Sequence, residues 1–296
     1  MLSNVSSNIK EFFFPFGSPK NLGIFRLLFG IYLLWHIVPL FHYVPLYFSV
    51  EGFYLPLLET PINGIKSISD IFAFITAPVS VTVAYIYFAI TCLCLFLFTI
   101  GLWARVAIFI FSLFWAYYYF LYMHFTNCSF DKIIMIFSLI LTLSPCDEAF
   151  SLKSYFRKKS GGSAPINVPL WTQRLITLEI SLMYLGTSIF KLLSGAWNGG
   201  EVIYTALMGD WTTPASFWLA RQGLPLGFYD LLMISVIFFE ITAWFLLYDQ
   251  KYQKLWMLGG TLFHLSNAIL LNVWEFMFFP LTYILFFQIK KSRDGA

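Results

Sequence analysis

The chain has 296 residues, of which 59% are apolar, 21% aromatic and only 11% charged, where soluble domains carry roughly twice that charge. There is too little charge to coat a water-soluble fold, so lipid is the solvent the composition calls for. The formal net charge of +3 is small and its cations are scattered among loops, which argues against nucleic acid as a partner.

Apolar stretches of 18 or more residues recur, each long enough to cross ~30 Å of hydrocarbon. They lack the alternation of barrel strands, so their backbone groups must be satisfied within helices. The expected class is all-α, a polytopic integral membrane helical bundle forming one domain over residues 1–296 with about eight transmembrane helices. In chain order the predicted spans are 22–40, 81–101, 105–123, 132–145, 171–193, 228–247, 255–272 and 276–289. The first follows Lys10 and Lys20 without a small-residue cleavage site and reads as an uncleaved signal anchor. The fourth and eighth are short and call for tilt or local thinning of the bilayer. Segments 67–79 and 211–220 are apolar but broken by proline or polar residues, so each is expected to be interfacial or re-entrant. The second of them supplies an interfacial helix to the outer loop 194–227.

Orientation follows from lysine and arginine in short loops. With both termini cytoplasmic, the inner side receives Lys10, Lys20, Arg26, Arg105, Lys153, Arg157, Lys158, Lys159, Arg174, Lys251, Lys254, Lys290, Lys291 and Arg293. The outer side keeps Lys66, Lys132, Lys191 and Arg221, a division of 14 against 4. The run Lys153 to Gly162 in the cytoplasmic loop 146–170 would face the anionic leaflet, each cation gaining ~1 kcal/mol. Its plainest role is to set topology.

Ionisable groups inside a bilayer are costly and usually face a protein interior, so each is a functional candidate. Lys191 stands twenty residues into the fifth span, ~30 Å along its axis, which places it at the outer rim. His264 and Asn267 lie three apart on one helical face of the seventh span. His124, Asn127 and Cys128 fall in the outer connection after the third span. Each also has a structural reading: Lys191 as a cation snorkelling beside Trp197, His264 and Asn267 as interhelical hydrogen-bond glue. Glu179 and Glu240 are assigned to the inner half, with Arg26 or Arg105 as structural partners. Cys92, Cys94, Cys128 and Cys146 form no CxxC pair, so no disulfide framework or metal site is expected, and His124 with Cys128 lacks a third ligand. Nucleotide, zinc-protease and serine-hydrolase motifs have no workable context.

The stretch Tyr184 to Gly200, with Lys191, Leu192 and Trp197, resembles the Lys-Leu-(gap)-Trp-x-x-Gly signature of the horizontally transferred transmembrane (HTTM) domain, the membrane part of vitamin K-dependent gamma-carboxylase. Phe25, Arg26 and Gly30 resemble the start of that domain. Phe263, His264, Asn267 and Leu270, followed by Val273 and Phe276, resemble its Phe-His-x-x-Asn-x-x-Leu segment. The resemblance implies a pocket open to the extracytoplasmic side where a lysine, here Lys191, acts as base toward a reduced quinone. His264 and Asn267 would position the substrate, and Asn127 with Cys128 or His124 would complete the rim beside Trp197. Cys128 stands where the carboxylase has histidine, and the chain ends at Ala296 without the carboxylase's lumenal domain, so carboxylation of a docked protein is not expected. Short bacterial-type members, one of them needed to mature a secreted toxin peptide, agree better in length.

The resulting expectation is a protein of the bacterial cytoplasmic (inner) membrane. It would modify or mature a lipid-phase or secreted peptide substrate, with membrane lipid and a secreted peptide or partner membrane protein as its contacts. The alternatives are a non-enzymatic membrane subunit that binds a lipid or partner and, ranked last, a small transporter.

Overall fold

A computed structural model describes residues 12–53, 77–122, 129–163, 165 and 167–287. Almost all of the regular structure is helical, and the chain divides into two compact units, Phe16–Thr172 and Met1–Pro15 with Gln173–Ala296.

In the first unit, helix α1 (Lys20–Ile37) buries Leu22, Phe25, Phe29, Leu33 and Ile37 completely, a stripe at three- and four-residue spacing. Pro39 has no N–H to continue the ladder, and the chain tightens into a 3-10 segment, Val38–Tyr43, before α2 (Val44–Phe48). Helices α3 (Val81–Ile100), α4 (Ala104–Tyr122) and α5 (Ser129–Thr142) complete the bundle. The rings of Phe25 and Phe29 stack 5.4 Å apart, and Phe137 of α5 meets both edge-on at 6.4 Å. Lipid is as apolar as these side chains, so close packing rather than exclusion of water holds the helices together.

Arg26 lies inside the α1 stripe and is fully buried. Its guanidinium donates to the carbonyls of Phe98 and Thr99, each at 3.0 Å, and to the carbonyl of Phe150. Phe98 and Thr99 lie at the end of α3, where Gly101 turns the chain at φ +72° and its own N–H also bonds the Phe98 carbonyl at 3.0 Å. A side chain at Gly101 would overlap the guanidinium. Arg26 is thus a clamp built from carbonyls and has no acidic partner in this ring of contacts.

The loop after α5 is not uniformly basic. Ser151 and Ser154 form a capping box that starts α6 (Leu152–Lys159). Asp147 and Glu148 take up two of the four cations there: Lys153 reaches Asp147 at 2.9 Å and Glu148 at 2.6 Å, and Arg157 reaches Glu148 at 2.5 Å. Arg105 sits 3.8 Å from Asp147. Lys158 and Lys159 are left exposed beside the rings of Tyr155 and Phe156. A two-residue antiparallel ladder, β1 (Phe16–Gly17) with β2 (Val168–Pro169), ties the two ends of the unit.

Burial alone would raise the Glu148 carboxyl, but hydrogen bonds from Lys153 and Arg157 outweigh it and hold its pKa below the ordinary 4.5. A depressed carboxyl stabilises the fold fully above the ordinary value, and loses that contribution as pH falls through the folded value. Replacing Glu148→Gln should therefore lower the melting temperature at neutral pH, by an amount matching about 1 kcal/mol or less. The gap from wild type should close under acid; a gap independent of pH would contradict the assignment.

In the second unit, α7 (Trp171–Leu193) leads through a 3-10 turn, Gly195–Trp197, into two short helices, α8 (Glu201–Met208) and α9 (Pro214–Ala220). Helix α9 falls within the segment 211–220; Thr213 and Ser216 cap it, and Pro214 occupies its first turn. Two long helices follow, α10 (Leu226–Leu246) and α11 (Gln253–Leu271). The segment after α11 is irregular, a 3-10 turn Trp274–Met277, α12 (Phe278–Thr282) and a second 3-10 turn Tyr283–Phe286. Side-chain amides hold its end: Gln173 donates to the carbonyl of Leu285 at 2.6 Å, and Gln253 to those of Phe286 at 2.9 Å and Leu247 at 2.6 Å.

Five described helical stretches are long and apolar enough to cross a membrane: Lys20–Phe48, Val81–Ile100, Ala104–Leu121, Trp171–Leu193 and Leu226–Leu246. The spans expected at 132–145 and 276–289 fall short in length. Helix α11 is long enough, but Gly259, Gly260, Thr261, Ser266 and Asn267 make it more polar than a typical span. The exposed surface is apolar too: Ile86, Leu93 and Phe96 of α3, and Leu231, Ile234 and Phe238 of α10, point outward. Apolar faces of that extent mark contact with lipid, and the chain is an integral membrane protein. Most of the segment 67–79 and all of 123–128 lie outside the described residues.

Candidate functional site

The polar side chains of the second unit fall into two connected groups that share α7. Tyr184 and Lys191 are seven residues apart, two turns of one helix face, ~10 Å along the axis. At the upper position the Lys191 ammonium donates to Oε1 of Glu240 on α10. Both side chains are nearly dry, 15% and 6% exposed, and the amine also lies 4.8 Å from the centre of the Trp197 ring. A lone charge there would cost several kcal/mol, whereas the pair is neutral overall and the indole face adds cation–π attraction. The second carboxylate oxygen of Glu240 is buried with no hydrogen-bond partner.

At the lower position the Tyr184 hydroxyl is shared between two neighbours. It lies 2.6 Å from Nε2 of His264 on α11 and 3.0 Å from the hydroxyl of Tyr283. All three side chains are buried. Gly260 gives Tyr283 its access, since a side chain there would overlap the phenol oxygen. Aromatic rings seal the chain of hydroxyls: Phe279 stacks on the imidazole at 4.9 Å, and Trp256 and Phe239 stand edge-on to Tyr184 at 5.4 and 5.7 Å. The Nδ1 atom of His264 is buried without a partner.

The expected site residues divide as follows. Lys191 and Trp197 meet. Lys191 of α7 and His264 of α11 do not meet directly: His264 bonds Tyr184, which stands two turns from Lys191 along α7. Asn267 lies three residues from His264, yet it lines an apolar cavity of about 530 Å³ that neither His264 nor Lys191 lines. His124, Asn127 and Cys128 lie outside the described residues. The partnership of Glu240 with Arg26 or Arg105 is not found: Arg26 is taken up by carbonyls, Arg105 faces Asp147, and Glu240 holds Lys191. An ion pair needs a common depth, so Glu240 cannot sit at the inner half while Lys191 sits at the outer rim.

Three residues of the site escaped the sequence reading: Glu240 as the counter-charge, Tyr184 and Tyr283. Glu240 is the only acidic residue between Asp230 and Asp249, and so the one counter-ion that α10 can offer within lipid. Tyr184 stands at the i−7 position from Lys191, the spacing of one helix face.

Chemically, the arrangement offers a nearly dry ammonium–carboxylate pair beside an indole face. Two turns away a His-Tyr-Tyr chain of hydrogen bonds gives further places for a proton to reside. Comparison with curated proteins and with solved structures returned no match. A family model, the HTTM domain, matches residues 16–290, which takes in the Arg26 clamp, the Lys191–Glu240 pair and the His264 chain alike. That match spans nearly the whole sequence, and the chain belongs to the HTTM domain family, the membrane-domain family related to vitamin K-dependent carboxylase.

Proposed function

We propose that the protein modifies or matures a lipid-phase or secreted peptide substrate on the extracytoplasmic side of the membrane, with Lys191 as the base. The observation that carries this reading is the nearly dry pairing of Lys191 with Glu240. In low dielectric a salt bridge and its neutral form lie close in energy, because two buried charges are expensive. Transfer of the ammonium proton to Glu240 leaves a free amine, which can then take a proton from substrate. Glu240 is thus the store for the first proton, and its second oxygen, buried and unpartnered, can bond a substrate hydroxyl.

These residues fit the reduced quinone that the resemblance implies, since the unpartnered Glu240 oxygen and the amine suit a hydroxyl donor. A reduced quinone, a hydroquinone, would supply that acidic hydroxyl. Finding no quinone by mass spectrometry in protein purified with native lipid would count against this ligand.

The test of the base is Lys191→Arg. Arginine keeps the positive charge and its pairing with Glu240, but holds its proton at any usable pH. Mass spectra of secreted peptides and lipids from cells carrying the wild-type, deleted and Lys191→Arg forms should show the products of the wild type falling about a hundredfold or more in the variant. Full retention would favour a second reading, a non-enzymatic membrane subunit. The saturation of the amine by Glu240 and Trp197 also suits that role.

A further inference from the structure

The cavity beside Asn267 has a shape and a chemistry of its own. Its walls come from α8, α9, α10 and α11, and they are apolar but for Ser235, Ser266 and Asn267. The two hydroxyls are spent on their own helices, Ser235 on the carbonyl of Leu231 at 2.7 Å and Ser266 on that of Phe263 at 2.8 Å. The Asn267 amide is left as the polar group to meet a ligand. At about 530 Å³ the cavity falls in the range of small-molecule sites, ~300–1,000 Å³.

Its lining reaches the exposed surface on α10 and α11. Ser235 and Gly259, both exposed and both small, leave a gap there, flanked by the lipid-facing Leu231, Ile234, Phe238 and Leu262. The molecules with direct access are therefore those of the bilayer. Along α10 the lining runs from Phe228 to Phe239, eleven residues or ~16 Å. That length equals about one leaflet of a ~30 Å hydrocarbon core. The end bordered by α8 and α9 carries Arg221, two residues beyond the cavity-lining Leu219 and the only basic residue between Leu193 and Asp249. Asn267 stands four residues before Leu271, about 6 Å inside that end, the level of a lipid's ester rather than of its phosphate.

We propose that this cavity holds one acyl chain of a phospholipid from the leaflet bordering α8 and α9, with its ester carbonyl accepting from the Asn267 amide and its phosphate drawn to Arg221. This site is separate from the Lys191–Glu240 centre, and its occupancy does not depend on whether Lys191 is a base. A retained lipid would fill the space beside the cluster of Leu207, Ala220 and Tyr229 that already ties α8 and α9 to α10.

Gly259 gives a clean test, because a side chain added there meets no atom within 4 Å and grows into open space. Replacing a helical glycine also favours the helix, so Gly259→Phe should fold. The full chain is purified in mild detergent and its bound lipid counted by native mass spectrometry. Wild type is expected to retain about one phospholipid per chain, and Gly259→Phe to lose it by at least about tenfold, the affinity carried by roughly two buried methylenes. Arg221→Gln should cut the share of anionic phospholipid among retained lipids several-fold, and Asn267→Leu should weaken retention while keeping the volume of the wall. Equal retention in wild type and Gly259→Phe would overturn the proposal, as would recovery of a quinone or polyprenol in place of phospholipid, or of no lipid at all. If Gly259→Phe fails to fold, retention in Asn267→Leu equal to wild type overturns it instead. Lys191→Arg should leave lipid retention unchanged, which separates this result from the test of the base.

Discussion

Glu240→Ala is expected to destabilise the second unit by about 3–5 kcal/mol, enough to remove most folded protein from detergent extracts. The loss does not come from a strong favourable pair. Desolvating two charges roughly cancels their attraction, so the pair itself contributes little net stability. What the substitution does is leave the Lys191 ammonium, 15% exposed and beside Trp197, without a counter-charge in a medium where lone cations cost ~3 kcal/mol or more. The double replacement Lys191→Met with Glu240→Leu removes both charges and should recover most of the loss, measured as the melting temperature in detergent. If Glu240→Ala alone proves as mild as the double replacement, the amine has another partner or reaches water, and the site is not dry.

Gly101→Ala is the second large effect, expected to cost about 3 kcal/mol or more. The backbone at φ +72° already disfavours a side chain, by ~1–2 kcal/mol. The added carbon would also overlap the Arg26 guanidinium and the Ser151 side chain. Arg26 would have to withdraw from the carbonyls of Phe98 and Thr99, and charged hydrogen bonds of this kind are worth ~1.5–3 kcal/mol each. Gly223 provides the control: it has φ +63° but no atom within 4 Å of an added side chain, so Gly223→Ala should show backbone strain alone. Equal melting shifts at the two positions would mean that the clamp at Arg26 contributes nothing.

The solvent of this fold could be read from sequence because a twenty-residue apolar run has one main physical meaning. The packing could not. Helix α3 is apolar around its whole circumference, so nothing in its periodicity says that Phe98 is fully buried while Phe96 is half exposed to lipid. Lys191 stood out as a cation near the end of an apolar helix. Its partner was misassigned because counting depth from helix ends treats every helix as starting at the same level. Among 17 tyrosines Tyr283 carried no mark and Tyr184 only opened the family stretch, and only the fold brings the two hydroxyls to 3.0 Å. The family signature singled out both Lys191 and His264; Lys191 lies on α7, and His264 on α11 reaches that helix only at Tyr184, two turns away.

The glutamines at the foot of the second unit have a consequence for biosynthesis. A stretch of short turns such as Trp274–Phe286 cannot satisfy its own carbonyls, and in hydrocarbon each orphan would cost several kcal/mol. Gln173 and Gln253 supply the missing donors, so this stretch has a berth only once α7 and α11 are already in place. Ribosomal order meets that requirement, because the donors leave the exit tunnel before the acceptors do. A circular permutant that translates residues 272–287 first should therefore insert poorly, even though every contact of the finished molecule is preserved.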